Sequence, residues 1–309
     1  MPAAIDIGTR GSPLALWQAN HVQTLLTEAH GLGDGAVDLK VITTSGDRIQ
    51  DTALRELGGK GLFTKEIDEA LLAGGVALAV HSMKDLPTVL PDGLSVAAVL
   101  PRADVRDAFL SPKAPSLAAL PPGSVVGTSS LRRGAQVRRL RPDLRIIDFR
   151  GNVETRLKKL DEDAADATLL AKAGLDRLGL TDEATSILPT SEMLPAVAQG
   201  AIAIVAREDD GDTARLLAPL NDPITATAVS CERAFLARLD GSCRTPIAGL
   251  AEIAGDGTLY FRGLILSPGG AEWHDVEVTG AAEQAEQIGR NAAEDVLDLA
   301  GPNFLAQLP

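Results

Sequence analysis

Residues 125–140 read VVGTSSLRRGAQVRRL. The apolar, β-branched start reads as a strand, Gly127-Thr128-Ser129 as its exit, and Ser130 as the cap of a helix running to Leu140. A strand that feeds a helix in this way is the repeating unit of α/β layers. Arg132 and Arg133 fall in the first helical turn, where free backbone N–H groups and the helix dipole favour a bound anion. Arginine adds a planar, permanently charged fork that matches carboxylate or phosphate. From Arg132 to Arg156 there are eight arginines against three acids, +5 locally in a chain of net charge −13. That local inversion predicts a site for a small anion, not an adhesive basic surface.

The same rhythm extends in both directions. Strands are expected at Ala4–Gly8, Val37–Thr43, Leu78–His81, Ser95–Leu100, Arg145–Asp148, Ala167–Leu170 and Ala201–Ala206. Helices are expected from Ser12-Pro13 to about Ala29, from Phe63 to Ala73, from Asn152 to Leu160 and from Lys172 to Leu178. The proline-rich interval from Pro101 to Pro122 reads as a crossing into a second lobe, and Ala201–Ala206 as the return. Two crossings make a hinge, with ligand bound in the cleft between the lobes. From Asn221 onward the pattern changes to a helix (Thr225–Arg238), three strands near Ile247–Ile253, Thr258–Leu266 and Glu272–Val278, and a last helix over Ala281–Leu299. That order predicts a small α+β domain with an antiparallel sheet. The expected divisions are 1–100 with 200–219, 101–199, and 220–309.

Composition narrows the function. At 309 residues, with 45% apolar but only 3% aromatic residues, the core must be built from Ala, Val, Leu and Ile. Net acidity argues against a nucleic-acid binder or a protein of anionic membrane surfaces. The N-terminus lacks the basic start and long apolar run of a signal peptide, so a cytoplasmic protein is expected. Two cysteines and four histidines make neither a disulfide framework nor a metal set. Cys231 reads as a buried helical residue. Cys243 lies in the turn Asp240-Gly-Ser-Cys-Arg-Thr-Pro246, beside an arginine, and its reading stays open between an ordinary turn residue and a nucleophile or attachment point.

Four polar segments follow expected strands: Thr9–Ser12, His81–Asp85, Thr128–Arg133 and Phe149–Asn152. Ligands of open α/β sheets bind at such ends. Arg132, Arg133, Arg150 and Arg156 are the anion-binding candidates, while Arg138, Arg139, Arg141 and Arg145 read as a solvated helix face and turn. His81 reads as a packed strand-end residue. Lys84-Asp85 reads equally as a surface ion pair, worth at most about 1 kcal/mol. Asp85 is nevertheless the only acid in the four segments. A carboxylate beside an anionic ligand makes sense if that ligand also carries a donor or a developing positive charge.

Taken in order, GTRGSPLALW (8–17), GGKGLF (58–63), HSMKD (81–85), GTSSLRR (127–133), RGN (150–152), AGL (173–175), QGA (199–201) and GSC (241–243) resemble the porphobilinogen deaminase family. The resemblance implies two lobes like those of periplasmic binding proteins, with mixed sheets, and a third domain that carries the cysteine. It implies a transferase that joins four porphobilinogen molecules head to tail, with loss of ammonia, into the linear tetrapyrrole hydroxymethylbilane. It implies a dipyrromethane cofactor attached through Cys243, with Lys84, Ser130, Arg132, Arg133 and Arg156 on its carboxylates. Arg10, Ser12, Arg150 and Arg177 are implied for incoming substrate, with Lys60 and Phe63 in a covering loop. Asp85 is implied as the catalytic group, accepting pyrrole N–H bonds and stabilising the cationic ring left when ammonia departs. The family also implies a monomer. The chain departs from many members at Asp6, where they carry a basic residue, and from some at Glu56, where they carry lysine. The alternative is a two-lobed carboxylate-binding or sensor module without catalysis. A nucleotide enzyme is disfavoured because GGKG at 58–61 lacks P-loop spacing and a following Ser or Thr.

Overall fold

The structure is a computed structural model that describes residues 5–48, 63–239 and 246–305. Lys60, Glu56 and Cys243 lie outside the described residues. Two compact units divide the chain: Met1–Gln50, Gly59–Ala103 and Gly200–Ala226 form one, and Asp51–Gly58, Asp104–Gln199 and Thr227–Pro309 the other.

The first unit opens with β1 (Ile5–Thr9), α1 (Pro13–His30), β2 (Val37–Val41), the short α2 (Ser45–Arg48), α3 (Lys65–Leu72), β3 (Leu78–Ser82) and β4 (Leu94–Val99). Helix α1 begins where the sequence demands. Ser12 accepts a hydrogen bond from the Ala15 N–H, Pro13 supplies the first helical φ, and Gly31 closes the helix in the left-handed conformation. A 3-10 turn over Met83–Asp85 follows β3 directly.

The second unit contains β5 (Asp107–Leu110), β6 (Val125–Gly127), α4 (Leu131–Leu140), β7 (Arg145–Ile147), α5 (Val153–Asp161), β8 (Ala167–Ala171), α6 (Lys172–Arg177) and β9 (Ser186–Leu188). The chain then returns to the first unit through β10 (Ile202–Arg207) and α7 (Gly211–Leu217). Next come α8 (Pro223–Arg238), β11 (Ile247–Ile253), β12 (Thr258–Leu266), β13 (Trp273–Ala281) and α9 (Ala285–Leu305).

The first sheet runs β2-β1-β3-β10-β4, with β1 parallel to β2 and β3, and the returning β10 antiparallel to β3 and β4. The second sheet, β7-β6-β8-β5-β9, repeats the scheme, with β6 parallel to β7 and β8, and β5 antiparallel to β8 and β9. The third is the antiparallel β11-β12-β13. The molecule thus has two mixed α/β sheets and a C-terminal α+β layer. Aliphatic side chains such as Ile7, Val22, Leu26, Leu78, Val80 and Ile204 fill the first core. Each contributes about 1.5–3 kcal/mol on full burial.

Strand β5 corrects the reading of Pro101–Pro122 as a plain connection. All four of its residues are buried, so it shows no alternation, and its prolines lie outside it. The three-residue β9 and helix α7 were also not anticipated. Gly127 ends β6 against the Phe149 ring, where a Cβ would sit 2.5 Å from the ring carbon. Cys231 is buried in α8 as expected, and burial, then the charge of Glu232, pushes its thiol up to about 12. No described helix is long and apolar enough to cross a membrane.

Candidate active site

In the first unit the ends of β1 and β3 converge on one cleft with about 400 Å³ of empty space, partly open to solvent. Its lining includes Arg10, Ser12, Gln18, Phe63, His81, Ser82 and Asp85. Arg10 leaves β1 and lays its guanidinium 4.3 Å from the Phe63 ring centre, a contact that helps to fix its direction. Ser82 is held by Gln18, whose Nε2 donates to the Ser82 Oγ at 2.9 Å. Asp85 sits on the 3-10 turn with its carboxylate exposed. Of the four implied residues here that the structure describes, Arg10, Ser12, Phe63 and Asp85, all line this cleft, and Lys84 adjoins it in sequence. Asp6 ion-pairs with Lys40 of β2 at 2.6 Å, the role its acidic side chain takes in this chain.

His81 is buried at the end of β3, and burial, reinforced by the Arg10 charge, lowers its pKa to about 4. It is therefore neutral at pH 7 and leaves Arg10 and Asp85 as the charged groups among the described residues that line the cleft. The unfolded imidazole titrates near 6.5. Between these values the unfolded chain binds the extra proton, so stability falls as pH drops from 6.5 towards 4 and is unaffected above that window. The loss attributable to His81 is expected to reach about 3 kcal/mol. Denaturation of wild type and His81→Gln at pH 7.5 and 4.5 checks this, since the variant should lose less over that interval.

The second unit places arginines beyond the C-terminal ends of three adjacent parallel strands. Arg132 and Arg133 follow β6, Arg150 and Arg156 follow β7, and Arg177 follows β8. Ser130 caps α4 by accepting from the Arg133 N–H. Ser129 Oγ accepts from the Phe149 N–H at 3.0 Å, which joins the β6 and β7 exits. Asn152 caps α5, and Arg156 Nε donates to the Gly151 carbonyl at 2.9 Å. Burial lowers the Arg177 pKa to about 10, against the opposing charge of Asp176, and it remains a cation at neutral pH.

Arg132 and Arg133 are far more enclosed than the first-turn position suggests. Both flank the fully buried Asp107, at 2.8 Å for Arg132 and 2.7 Å for Arg133. Arg132 also donates to the Leu194 carbonyl, and Arg133 to that of Leu169. Gln199 Nε2 donates to Asp107 at 2.9 Å. Burial alone would raise the Asp107 pKa, but the two guanidiniums and the bonds from Arg133 and Gln199 hold it well below the usual carboxylate range. The cluster keeps a net positive charge, and the buried Arg132 Nε has no hydrogen-bond partner among the described residues. Asp107 is not singled out by the sequence, and Gln199 enters there only as part of the QGA string, without a role. The signal for Asp107 lay in β5, the strand hidden in the proline-rich interval.

The expectation that Arg138, Arg139, Arg141 and Arg145 form a solvated face needs correction. Arg139 and Arg145 are exposed, though Arg139 lies over the Trp273 ring. Arg138 donates to the Pro268 carbonyl, and Arg141 to the carbonyls of Leu117, Ala118 and Leu120. Carbonyls left free by irregular loops draw these cations inward.

Residues 5–215 match the model "Porphobilinogen deaminase, dipyromethane cofactor binding domain", and residues 226–298 the model of that family's C-terminal domain. The chain belongs to the porphobilinogen deaminase family. A porphobilinogen deaminase from Nitrobacter hamburgensis is 57% identical over 298 residues, covering 96% of this chain and 94% of that protein. One from Paracoccus denitrificans is 54% identical over 300 residues, covering 97% and 96%. Among solved structures, a methionine-binding protein aligns at 16% identity and a TM-score of 0.45, covering 70% of this chain and 89% of that one. A periplasmic substrate-binding protein of an ABC transporter from Coxiella burnetii aligns at 14% identity and 0.45, covering 74% and 96%. In porphobilinogen deaminase terms, the described groups are one acid-bearing cleft and one arginine-rich strand edge.

Proposed function

We propose that this chain is a hydroxymethylbilane synthase, joining four porphobilinogen molecules head to tail with release of ammonia. The near full-length family match carries this reading. The same proposal includes the division into 1–100 with 200–219, 101–199 and 220–309, which the three separate sheets support.

The residues fit a dipyrromethane with carboxylate arms. The arginine cluster is net positive, it stands at the start of a ten-residue helix, and the buried Arg132 Nε has no hydrogen-bond partner among the described residues. Cys243 would anchor the group through a thioether, and Lys84, Ser130, Arg132, Arg133 and Arg156 would hold its acid arms. When bound, the group supplies a free pyrrole carbon at which the chain is extended. Arg10, Ser12, Arg150 and Arg177, with Lys60 and Phe63, would orient the acetate and propionate of incoming porphobilinogen.

The chemistry falls to Asp85. Loss of ammonia breaks a C–N bond and leaves the substrate ring electron-poor. The carboxylate accepts the pyrrole N–H and sets a fixed negative charge beside the developing positive one. Neutral His81 adds no competing cation, and Arg10, lying over the Phe63 ring, places a permanent positive charge in the same cleft. A sensor without catalysis would use the arginines but has no need of Asp85.

Denaturing mass spectrometry of freshly purified protein tests this reading. The expected mass exceeds that of the sequence by a two-pyrrole adduct, which colours with an acid aldehyde reagent and is lost in Cys243→Ser. A bare-chain mass in active protein overturns it.

A further inference from the structure

We propose that Glu232 is a positioning residue for the arginine pair at the start of α4. This inference rests on the reading in which Arg132 and Arg133 hold acid arms. Glu232 lies in α8 and is fully buried. One of its carboxylate oxygens accepts from the Ala251 N–H of β11 at 2.8 Å, and the other from the Ala198 N–H at 2.6 Å. A buried carboxylate shared between two separate backbone segments fixes both, because losing either bond leaves a desolvated N–H.

The Ala198 end has a second peculiarity. Its φ is +60°, a left-handed conformation that residues with a Cβ avoid. The neighbouring Gly200 also has positive φ. Between them, Gln199 is turned inward and donates from Nε2 to the Val105 carbonyl at 2.7 Å and to Asp107 at 2.9 Å. Asp107 in turn holds both guanidiniums. A continuous path of bonds therefore runs from β11 through Glu232, Ala198 and Gln199 to Asp107 and the arginines, all within one compact unit. A left-handed alanine needs something to hold it, and the Glu232 carboxylate does so. With Ala198 released to ordinary backbone angles, the Gln199 amide swings off Asp107, and the arginines lose one of the bonds that orient their counter-ion.

Glu232→Gln keeps the shape but turns an NH2 towards one of the two N–H groups. The expected result is a loss of turnover per cofactor-loaded enzyme of about 10- to 100-fold. Ala198→Gly reaches the left-handed conformation without side-chain strain. In the double variant it is expected to recover about tenfold of that loss. A purely structural Glu232 predicts no such recovery, because glycine at 198 restores neither the Ala251 bond nor the buried charge. Should Glu232→Gln fail to fold, Ala198→Val decides, since a β-branched residue opposes the left-handed conformation while Glu232 stays intact, and it should also lose turnover. Normal turnover in Glu232→Gln or Ala198→Val, or a loss that Ala198→Gly leaves unchanged, overturns the proposal. Failure of the underlying reading would show differently, as active wild-type protein of bare mass.

Discussion

Asp85→Asn is expected to keep the two-pyrrole adduct and the wild-type melting temperature while losing turnover by about 100- to 1000-fold. Asp85 is the only acid among the described residues lining its cleft, where Arg10 supplies the opposite charge and His81 is neutral. Asparagine is nearly isosteric and retains an oxygen that can accept a pyrrole N–H. What it removes is the negative charge that opposes positive charge on the ring as ammonia leaves. That charge matters in the transition state more than in the bound substrate, so kcat should fall more than KM rises. The side chain is exposed, and an exposed polar exchange shifts stability by only about 0.5 kcal/mol. Product formation by adduct-bearing variant, with the melting curve as control, measures the effect. Near-normal turnover would remove Asp85 from the chemistry.

Asp107→Ala is expected to show the largest stability effect, a loss of about 3–5 kcal/mol. Asp107 has no exposed surface and faces two guanidiniums whose side chains are only 6% and 7% exposed. Truncation leaves two like charges buried together without a counter-ion, and deprives Gln199 of an acceptor. Asp104→Ala is the contrast, because its pair with Arg106 is partly solvated and should contribute about 1 kcal/mol or less. Urea denaturation of the two variants in parallel decides the matter, and equal midpoints would refute the buried cluster as a structural keystone. The acid response adds an independent check. The Asp107 pKa is depressed in the fold, so its contribution is present above the unfolded value of 3.8 and disappears at lower pH. That window lies below the one assigned to His81.

Much of the fold was legible in local pattern. The Ser12-Pro13 start of α1, the Ser130 and Asn152 caps, and strands β11 and β12 are where caps and apolar spacing put them. Such features act over a few residues, so sequence carries them directly. Strand β5 was illegible because a four-residue strand buried on both faces has no alternating pattern, and prolines flank it at a distance. That the segments Thr9–Ser12 and His81–Asp85 meet was legible too, since the ends of adjacent strands lie side by side, whereas Phe63 entered only through the resemblance and nothing local showed that its ring would receive Arg10.

Sequence alone therefore determined the family, the α/β rhythm, the caps and the identity of the charged candidates, because each depends on residue type and short spacing. Only the tertiary structure decided that Arg132 and Arg133 are clamped on Asp107, that His81 is neutral, and that Arg138 and Arg141 serve loop carbonyls. Those outcomes depend on burial and on partners 21 or more residues away, such as Asp107 for Arg133 and Leu120 for Arg141. Charge acquires its role from the water removed around it and the groups that replace that water, and neither is written in the local sequence.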